Sequence, residues 1–274
     1  MRLPAVALVL LGCGPDFERP SVVHKLRILA VRSDPAAVDL DTDTMVRLTP
    51  LVPDPLGGGR AATYAWSPCV SVNGTTVDVL FPSDCAVADD LAVLSEDPVL
   101  DFAVPPEVAK LSDLEDFIGQ SGSFGIPVRL VVEAGDERQV AIVPVAVALS
   151  GEPNTNPDFA TLEIDGDNWD GMTTPKLSVG EPIALKATWT EETAETYSYV
   201  ASGTGRHVTT QEVIAVNWFS SVGAIDPDVT SDGHVDSEIE LEDPPTPGVD
   251  PHLWVVISDG RGGVSWRDVP LATP

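Results

Sequence analysis

The chain has 274 residues, and its 43 Asp and Glu outnumber its 15 Lys and Arg, which gives a formal net charge of −28. This balance excludes binding to a nucleic-acid backbone, because that contact needs clustered Lys and Arg. With 43% hydrophobic residues, 22 Gly and 25 Pro, the chain can fill globular cores and form many turns, so wholesale disorder and long helices are not expected.

The N-terminus, MRLPAVALVLLGCG, joins the basic Arg2 to an apolar run at residues 5–11 that is too short to span a bilayer. Its Leu-Leu-Gly-Cys ending resembles a bacterial lipobox. The resemblance implies a signal peptide at residues 1–12 and a diacylglycerol on Cys13, and acyl chains at that position would anchor the protein to a membrane. The residue after Cys13 is Gly14 rather than the Asp that favours retention in the inner membrane, so the outer membrane is the expected location. The alternative is a buried N-terminal strand with a free cysteine.

Residues 13–24 contain two prolines and are predicted to be a tether between the lipid and a first domain at residues 25–149. The apolar spacing at residues 106–118 predicts one short helix in this domain. A hairpin is expected around residues 135–137, with Pro144 assigning its second strand to an edge or a bulge. The strands predicted in this domain are residues 26–31, 45–52, 63–66, 77–81, 99–104, 126–133 and 139–149.

Cys69 and Cys85 remain as an even pair once Cys13 is lipidated. An exported protein favours a disulfide between them, and its short loop implies a local staple. Zinc binding is the alternative, although the chain has no CxxC and its four histidines are scattered.

Residues 150–158 contain turn-forming residues and predict a linker to a second domain at residues 159–274. Alternation places Ile239 and Leu241 on one face of a strand, with glutamates on the other. A long hairpin is expected at residues 197–213. The strands predicted in this domain are residues 161–164, 182–190, 195–200, 207–219, 237–241, 253–258 and 264–271.

The two halves repeat one pattern, in which a third strand carries a core tryptophan, Trp66 in the first and Trp218 in the second. Both halves resemble the immunoglobulin-like domains of bacterial surface proteins, near the polycystic-kidney-disease type. The whole chain also resembles uncharacterised lipoproteins whose second sandwich ends in DGRGGVSW. These resemblances imply an all-β chain of two tandem immunoglobulin-like β-sandwiches, although the WDFGDG signature is absent.

The sequence has no HExxH, P-loop or nucleophile elbow, so neither an enzyme nor an organic cofactor is expected. Asp165, Asp167 and Asp170 form a weak calcium candidate that does not follow EF-hand spacing. Two further acidic sets, Asp39, Asp41 and Asp43 and then Asp226, Asp228 and Asp232, are predicted to be solvated loops. Trp169, in the first of these loops, could stack on a sugar ring.

These features predict a lipid-anchored protein of the cell envelope that acts as a non-catalytic binding, adhesion or spacer module. Its expected partners are the membrane, through the lipid on Cys13, and an envelope protein or glycan. The hairpin of the second domain is the expected contact surface. The alternative is a carbohydrate-binding accessory protein of an envelope enzyme or polysaccharide system.

Overall fold

The computed structural model describes residues 19–39, 45–73, 76–79, 82–88, 91–105, 123–148, 154–201, 204, 206–231 and 236–274. The predicted signal peptide at residues 1–12, Cys13 with its predicted lipid and the helix predicted at residues 106–118 lie outside these ranges. The described residues are almost entirely β, with one α-helix, α1, at Pro82–Val87 and a 3₁₀ turn at Glu191–Thr193. The prediction of two tandem immunoglobulin-like sandwiches is confirmed.

The first sandwich packs a three-stranded sheet, β1–β3–β7, on a four-stranded sheet, β2–β9–β8–β4, with β5 and β6 forming a separate hairpin. β2 pairs with β9 in parallel. This order, with the first edge strand divided between the two sheets, is that of an immunoglobulin-like domain. The strands are β1 Ala30–Asp34, β2 Ala37–Asp39, β3 Met45–Leu51, β4 Thr63–Pro68, β5 Val70–Asn73, β6 Thr76–Val79, β7 Leu100–Ala103, β8 Ser123–Ala134 and β9 Glu137–Ala148.

The second sandwich packs a five-stranded sheet, β11–β10–β12–β18–β16, on a four-stranded sheet, β17–β15–β19–β20, and β13 and β14 form a hairpin outside both. The strands are β10 Thr161–Ile164, β11 Asp167–Asn168, β12 Ile183–Thr188, β13 Thr196–Ala201, β14 Arg206–Gln211, β15 Ala215–Ser220, β16 Ala224–Asp226, β17 Val229–Ser231, β18 Asp236–Glu240, β19 His252–Ser258 and β20 Val264–Pro270.

The boundaries of several strands differ from the sequence prediction. The predicted strand at residues 207–219 is divided, because β14 ends at Gln211 and β15 belongs to a different sheet. Residues 35–36 carry the chain from β1 in one sheet to β2 in the other, and β18 lies between β12 and β16 in the five-stranded sheet.

Trp66 on β4 and Trp218 on β15 occupy equivalent strands and are fully buried in separate apolar cores. Each indole also has a polar partner. Trp66 Nε1 donates a hydrogen bond to Asp97 O at 3.0 Å, and Trp218 Nε1 donates one to Thr230 Oγ1 at 3.0 Å. Each tryptophan therefore joins the two sheets of its sandwich while its only polar atom is satisfied.

The sandwiches also pack on each other, through a third apolar cluster that includes Leu51 of the first and Trp254 and Val256 of the second. Val23, before the first sandwich, belongs to this cluster and is 1% exposed. The Arg27 guanidinium lies 5.6 Å from the centre of the Phe219 ring. Burial of these side chains favours one fixed arrangement of the pair.

The predicted tether and linker both have ordered contacts where the structure describes them. Val23 N donates to Ser220 O, and Ser220 N donates to Ser21 O, each at 2.8 Å. In the linker, Asn156 donates through Nδ2 to Ser33 O at 2.6 Å and accepts from Val264 N at 2.9 Å. Residues 21–23 and 156 are thus docked, through backbone groups of Ser21 and Val23 and through the side-chain amide of Asn156.

Candidate functional site

The turn between β19 and β20, residues 259–263, is organised by the buried carboxylate of Asp259. Its Oδ1 accepts hydrogen bonds from Arg261 N at 2.7 Å and Gly263 N at 3.0 Å, and its Oδ2 accepts one from Asn154 Nδ2 at 2.9 Å. A Cβ on Gly263 would lie 2.7 Å from Thr155 O, so glycine is required at this position. The DGRGG sequence therefore joins the last turn to the segment that precedes the second sandwich.

Arg261, at the centre of this turn, holds the base of the β13–β14 hairpin. Its Nη1 lies 2.7 Å from Glu212 Oε1 and 3.5 Å from Glu195 Oε2. The guanidinium also lies over the Tyr197 ring, 4.3 Å from its centre. Glu212 Oε2 accepts a hydrogen bond from Glu195 N at 2.9 Å. We name Glu195, Tyr197, Glu212, Asp259 and Arg261 the hairpin clamp.

The hairpin clamp contains two carboxylates that are almost fully removed from water. The side chain of Glu212 is 1% exposed, and Asp259 is 2% exposed. Burial raises the pKa of both carboxyl groups, although their hydrogen bonds act in the opposite direction. The Arg261 guanidinium pairs with the buried Glu212 and the partly exposed Glu195, and its positive charge lowers the pKa of both Glu212 and Asp259 against the effect of burial.

Beyond the clamp, β13 and β14 form a regular antiparallel ladder that pairs Thr196 with Gln211 and Ala201 with Arg206. Tyr197 and Tyr199 share one face, and their ring centres are 6.0 Å apart. In the described ranges neither strand of the hairpin pairs with a third strand. Val213, which follows the hairpin, is 62% exposed. The hairpin thus combines aromatic side chains with backbone edges that lack a strand partner.

In the first sandwich, Cys69 and Cys85 form the predicted disulfide, with their Cα atoms 5.6 Å apart. The bridge joins the end of β4 to α1 and encloses the β5–β6 hairpin. Arg129 donates through Nη1 to Cys85 O at 3.2 Å and to Ala88 O. Because both sulfur atoms are used by the disulfide, they are not available as zinc ligands, and the site stabilises structure.

The weak calcium candidate is not assembled as a cation site. Asp170 Oδ1 accepts hydrogen bonds from Met172 N, Thr173 N and Thr173 Oγ1, which lower the pKa of this carboxyl to about 2. Among the described residues, no three His, Cys, Asp or Glu side chains form a group that could hold a metal. In the other two acidic sets, Asp41, Asp43 and Asp232 lie outside the described ranges.

Trp169 lines a cavity of about 300 Å³ at the side of the five-stranded sheet. The ring is half-buried, packs against the core of the second sandwich and donates through Nε1 to Thr173 O at 2.8 Å. Asp165, Asp167 and Lys176 also line this cavity. The two calcium candidates and the predicted sugar-stacking tryptophan share one loop in the sequence, and the structure adds Lys176 and Ile183 to them around one cavity.

His252 lies at the seam between the sandwiches, beside a cavity of about 180 Å³ that is also lined by Leu51 and Asp54. Its Nδ1 is 2.6 Å from Asp268 Oδ1, and its Nε2 is 3.2 Å from Asp250 Oδ2. The hydrogen bond to Asp268 raises the pKa of His252, and burial opposes this shift. Protonation of His252 therefore stabilises the folded second sandwich, to which both carboxylates belong, and this contribution is lost as pH rises through the raised pKa.

None of the helices in the described residues is long and apolar enough to cross a bilayer. No protein-family model and no curated protein sequence matches the chain.

Several solved structures of paired domains align with most of the chain, at low identity. The murine CEACAM1b structure is 12% identical, with 89% of this chain and 99% of that chain covered at a TM-score of 0.25. The D00-D0 domain of intimin is 9% identical, with 90% and 98% covered at a TM-score of 0.24. The Ig1-2 module of the Drosophila receptor protein tyrosine phosphatase DLAR is 10% identical, with 92% and 100% covered at a TM-score of 0.28. At such TM-scores these alignments support no conclusion about this chain. The strand order and strand pairing described above identify its fold.

Proposed function

We propose that this protein is a lipid-anchored, non-catalytic binding module of the bacterial envelope, and that the β13–β14 hairpin is its contact surface. The observation that carries this proposal is the hairpin clamp. Two buried carboxylates and a stacked guanidinium fix a hairpin that lies outside both sheets of its sandwich. Such a costly buried charge network favours a role in holding one defined orientation.

The chemistry of the hairpin supports contact with another protein. Tyrosine side chains supply a large contact area with few rotatable bonds, and for this reason they are enriched in protein interfaces. The edges of β13 and β14 can also accept an added strand. Because the two sandwiches pack on each other, the contacts favour a compact binding or adhesion module over an extended spacer.

Capture of envelope proteins by the tagged full-length chain tests the contact surface. Val213→Ser, next to the hairpin, is expected to reduce recovery of the partner. Val93→Ser is the matched control, because Val93 is 55% exposed on the first sandwich and Val213 is 62% exposed. Equal recovery by both variants, or recovery of no partner by the wild type, would contradict the proposal.

The lipid anchor is tested separately, by labelling producing cells with an alkyne-bearing palmitate. The wild-type chain is expected to carry the label and to fractionate with the outer membrane, because several acyl chains give stable anchoring. Cys13→Ser is expected to be unlabelled, whereas Cys69→Ser with Cys85→Ser should retain the label. Equal labelling of the Cys13→Ser protein would contradict lipidation at this residue.

A further inference from the structure

We propose that the cavity beside Trp169 binds a neutral pyranose unit of a glycan. This site is separate from the β13–β14 hairpin and does not depend on the contact proposed for it. The cavity lies at the side of β10, β11 and β12, and its volume of about 300 Å³ is at the small end of ligand sites. Such a volume suits one sugar ring better than a large ligand.

The lining of the cavity is amphipathic. Ile164 and Ile183 are 6% and 8% exposed and supply apolar surface beside the indole of Trp169. Asp165, Asp167 and Lys176 supply two carboxylates and an ammonium group. A pyranose needs this combination, because its C–H face packs on an aromatic ring while its hydroxyl groups need hydrogen-bond partners.

Four polar side chains that line the cavity are free to bind. Within the described part of the chain, the side chains of Asp165, Asp167, Asn168 and Lys176 form no hydrogen bond or ion pair. The carboxylates can accept from sugar hydroxyl groups, the ammonium can donate to them, and the Asn168 amide can do both. Binding would therefore not require an existing intramolecular contact to break.

The loop that carries these groups is already fixed. Trp169 N donates to Leu162 O at 2.7 Å, and Asp170 Oδ1 accepts three hydrogen bonds from Met172 and Thr173. Asp165 and Gly166 adopt positive φ angles of 56° and 81° in the tight turn from β10 to β11. A prearranged site of this kind loses little conformational entropy on binding.

Charge selects among sugars. Asp165 and Asp167 outnumber Lys176 in the lining, and the whole chain carries a formal charge of −28. A uronate, sialate or phosphorylated sugar would meet like charge here and would be repelled. The site is therefore expected to retain neutral hexoses and N-acetylhexosamines.

A glycan array that contains neutral and acidic oligosaccharides, followed by calorimetric titration of a retained neutral oligosaccharide, tests this proposal on the full-length chain. The wild type should bind neutral members only. Asp167→Asn should lower the affinity about tenfold, because a charge-assisted hydrogen bond is lost. Asp226→Asn, an equally conservative change at an exposed carboxylate outside the cavity lining, should leave the affinity unchanged.

Trp169 needs two variants, because its ring also packs on the core. Trp169→Phe should retain the fold and part of the affinity, while Trp169→Ala should abolish binding. Binding of no neutral glycan by the wild type, preferential binding of acidic glycans, or unchanged affinity in both Asp167→Asn and Trp169→Phe would overturn the proposal. Val213→Ser should bind glycan like the wild type, which separates this result from the test of the hairpin.

Discussion

Each sandwich carries one two-stranded hairpin outside its main sheets, and the two hairpins are held in different ways. In the first sandwich, the β5–β6 hairpin lies between Cys69 and Cys85, whose disulfide closes a loop with a sequence separation of 16. In the second, the β13–β14 hairpin is held by Arg261, which comes 49 residues after its partner Glu212.

The difference concerns what each attachment depends on. A disulfide across a short loop acts mainly by restricting the unfolded chain, and it needs little from the surrounding sandwich. The hairpin clamp exists only when the β19–β20 turn and Asn154 are in place, because Asp259 bonds to both. The position of the second hairpin therefore depends on correct folding of the whole sandwich, and it responds to pH.

The largest expected effect is that of Arg261→Ala. This change leaves Glu212 buried without its cation, and removing one partner of a buried ion pair costs about 3–5 kcal/mol. Urea unfolding should show this loss in the transition of the second sandwich. Arg261→Lys, which retains the charge but not the planar guanidinium, should lose less unfolding free energy. Equal losses in Arg261→Ala and Arg261→Lys would show that the positive charge of Arg261 does not hold the hairpin.

Removal of the disulfide in the first sandwich should have the next largest effect. Replacing both Cys69 and Cys85 with Ala should lower the free energy of unfolding by about 3 kcal/mol, the value expected for a loop of this length. Urea unfolding of the variant, compared with the reduced wild type as the control, measures it. A variant that matches the oxidised wild type would contradict a stabilising role for the bridge.

A smaller effect should appear as a pH dependence that the hairpin clamp has and the disulfide does not. Burial raises the pKa of Glu212 above its ordinary value of 4.5, so the folded state binds more protons than the unfolded state between those two values. The contribution of Glu212 to stability therefore increases as pH falls through this window.

Unfolding of the wild type and Glu212→Gln between pH 7 and pH 4 measures this contribution. The wild type should gain stability relative to the variant toward pH 4, while the cysteine-free variant should follow the wild-type slope. If the difference in unfolding free energy between the wild type and Glu212→Gln does not change with pH, the pKa of Glu212 is not raised in the folded state.

The smallest effect is expected at Arg47, whose ion pair with Asp101 crosses from β3 to β7 at a distance of 2.8 Å. Both side chains are more than half exposed, at 61% and 55%, and water and salt weaken such pairs. Arg47→Ala should unfold at the same urea concentration as the wild type. A clear loss of stability in Arg47→Ala would show that an exposed ion pair also stabilises this protein, so burial would not explain the effect of Arg261.

Sequence patterns predicted features that depend on near neighbours. The alternation of Ile239 and Leu241 with glutamates identified the buried face of β18 and of the residue that follows it, since side chains in a strand alternate between its faces. The two halves and their strand tryptophans were also evident. The prediction for Pro144 was right in part, because β2 pairs with β9 only from Ala146 onward and leaves Pro144 on an uncovered stretch.

The rest depended on contacts between residues far apart in sequence. The sequence showed the DGRGG segment only as part of the ending that resembles lipoproteins, but its function as a clamp needs Asn154 and Glu212, which are 105 residues before Asp259 and 49 before Arg261. Gly125 gave no signal either, although a Cβ there would lie 2.8 Å from the Cβ of Pro144 on the neighbouring strand. Local patterns cannot identify such partners, because they are brought together only by the sheet topology.

The docking of residues 21–23 on Ser220 determines how the protein carries mechanical load. Tension applied to the chain before residue 19 passes to both sandwiches. Two backbone hydrogen bonds carry it to Ser220 on β15, and the apolar cluster that joins Val23 to Leu51 carries it to the first sandwich. A pull on the N-terminus therefore loads the joint between the two sandwiches rather than either sandwich alone.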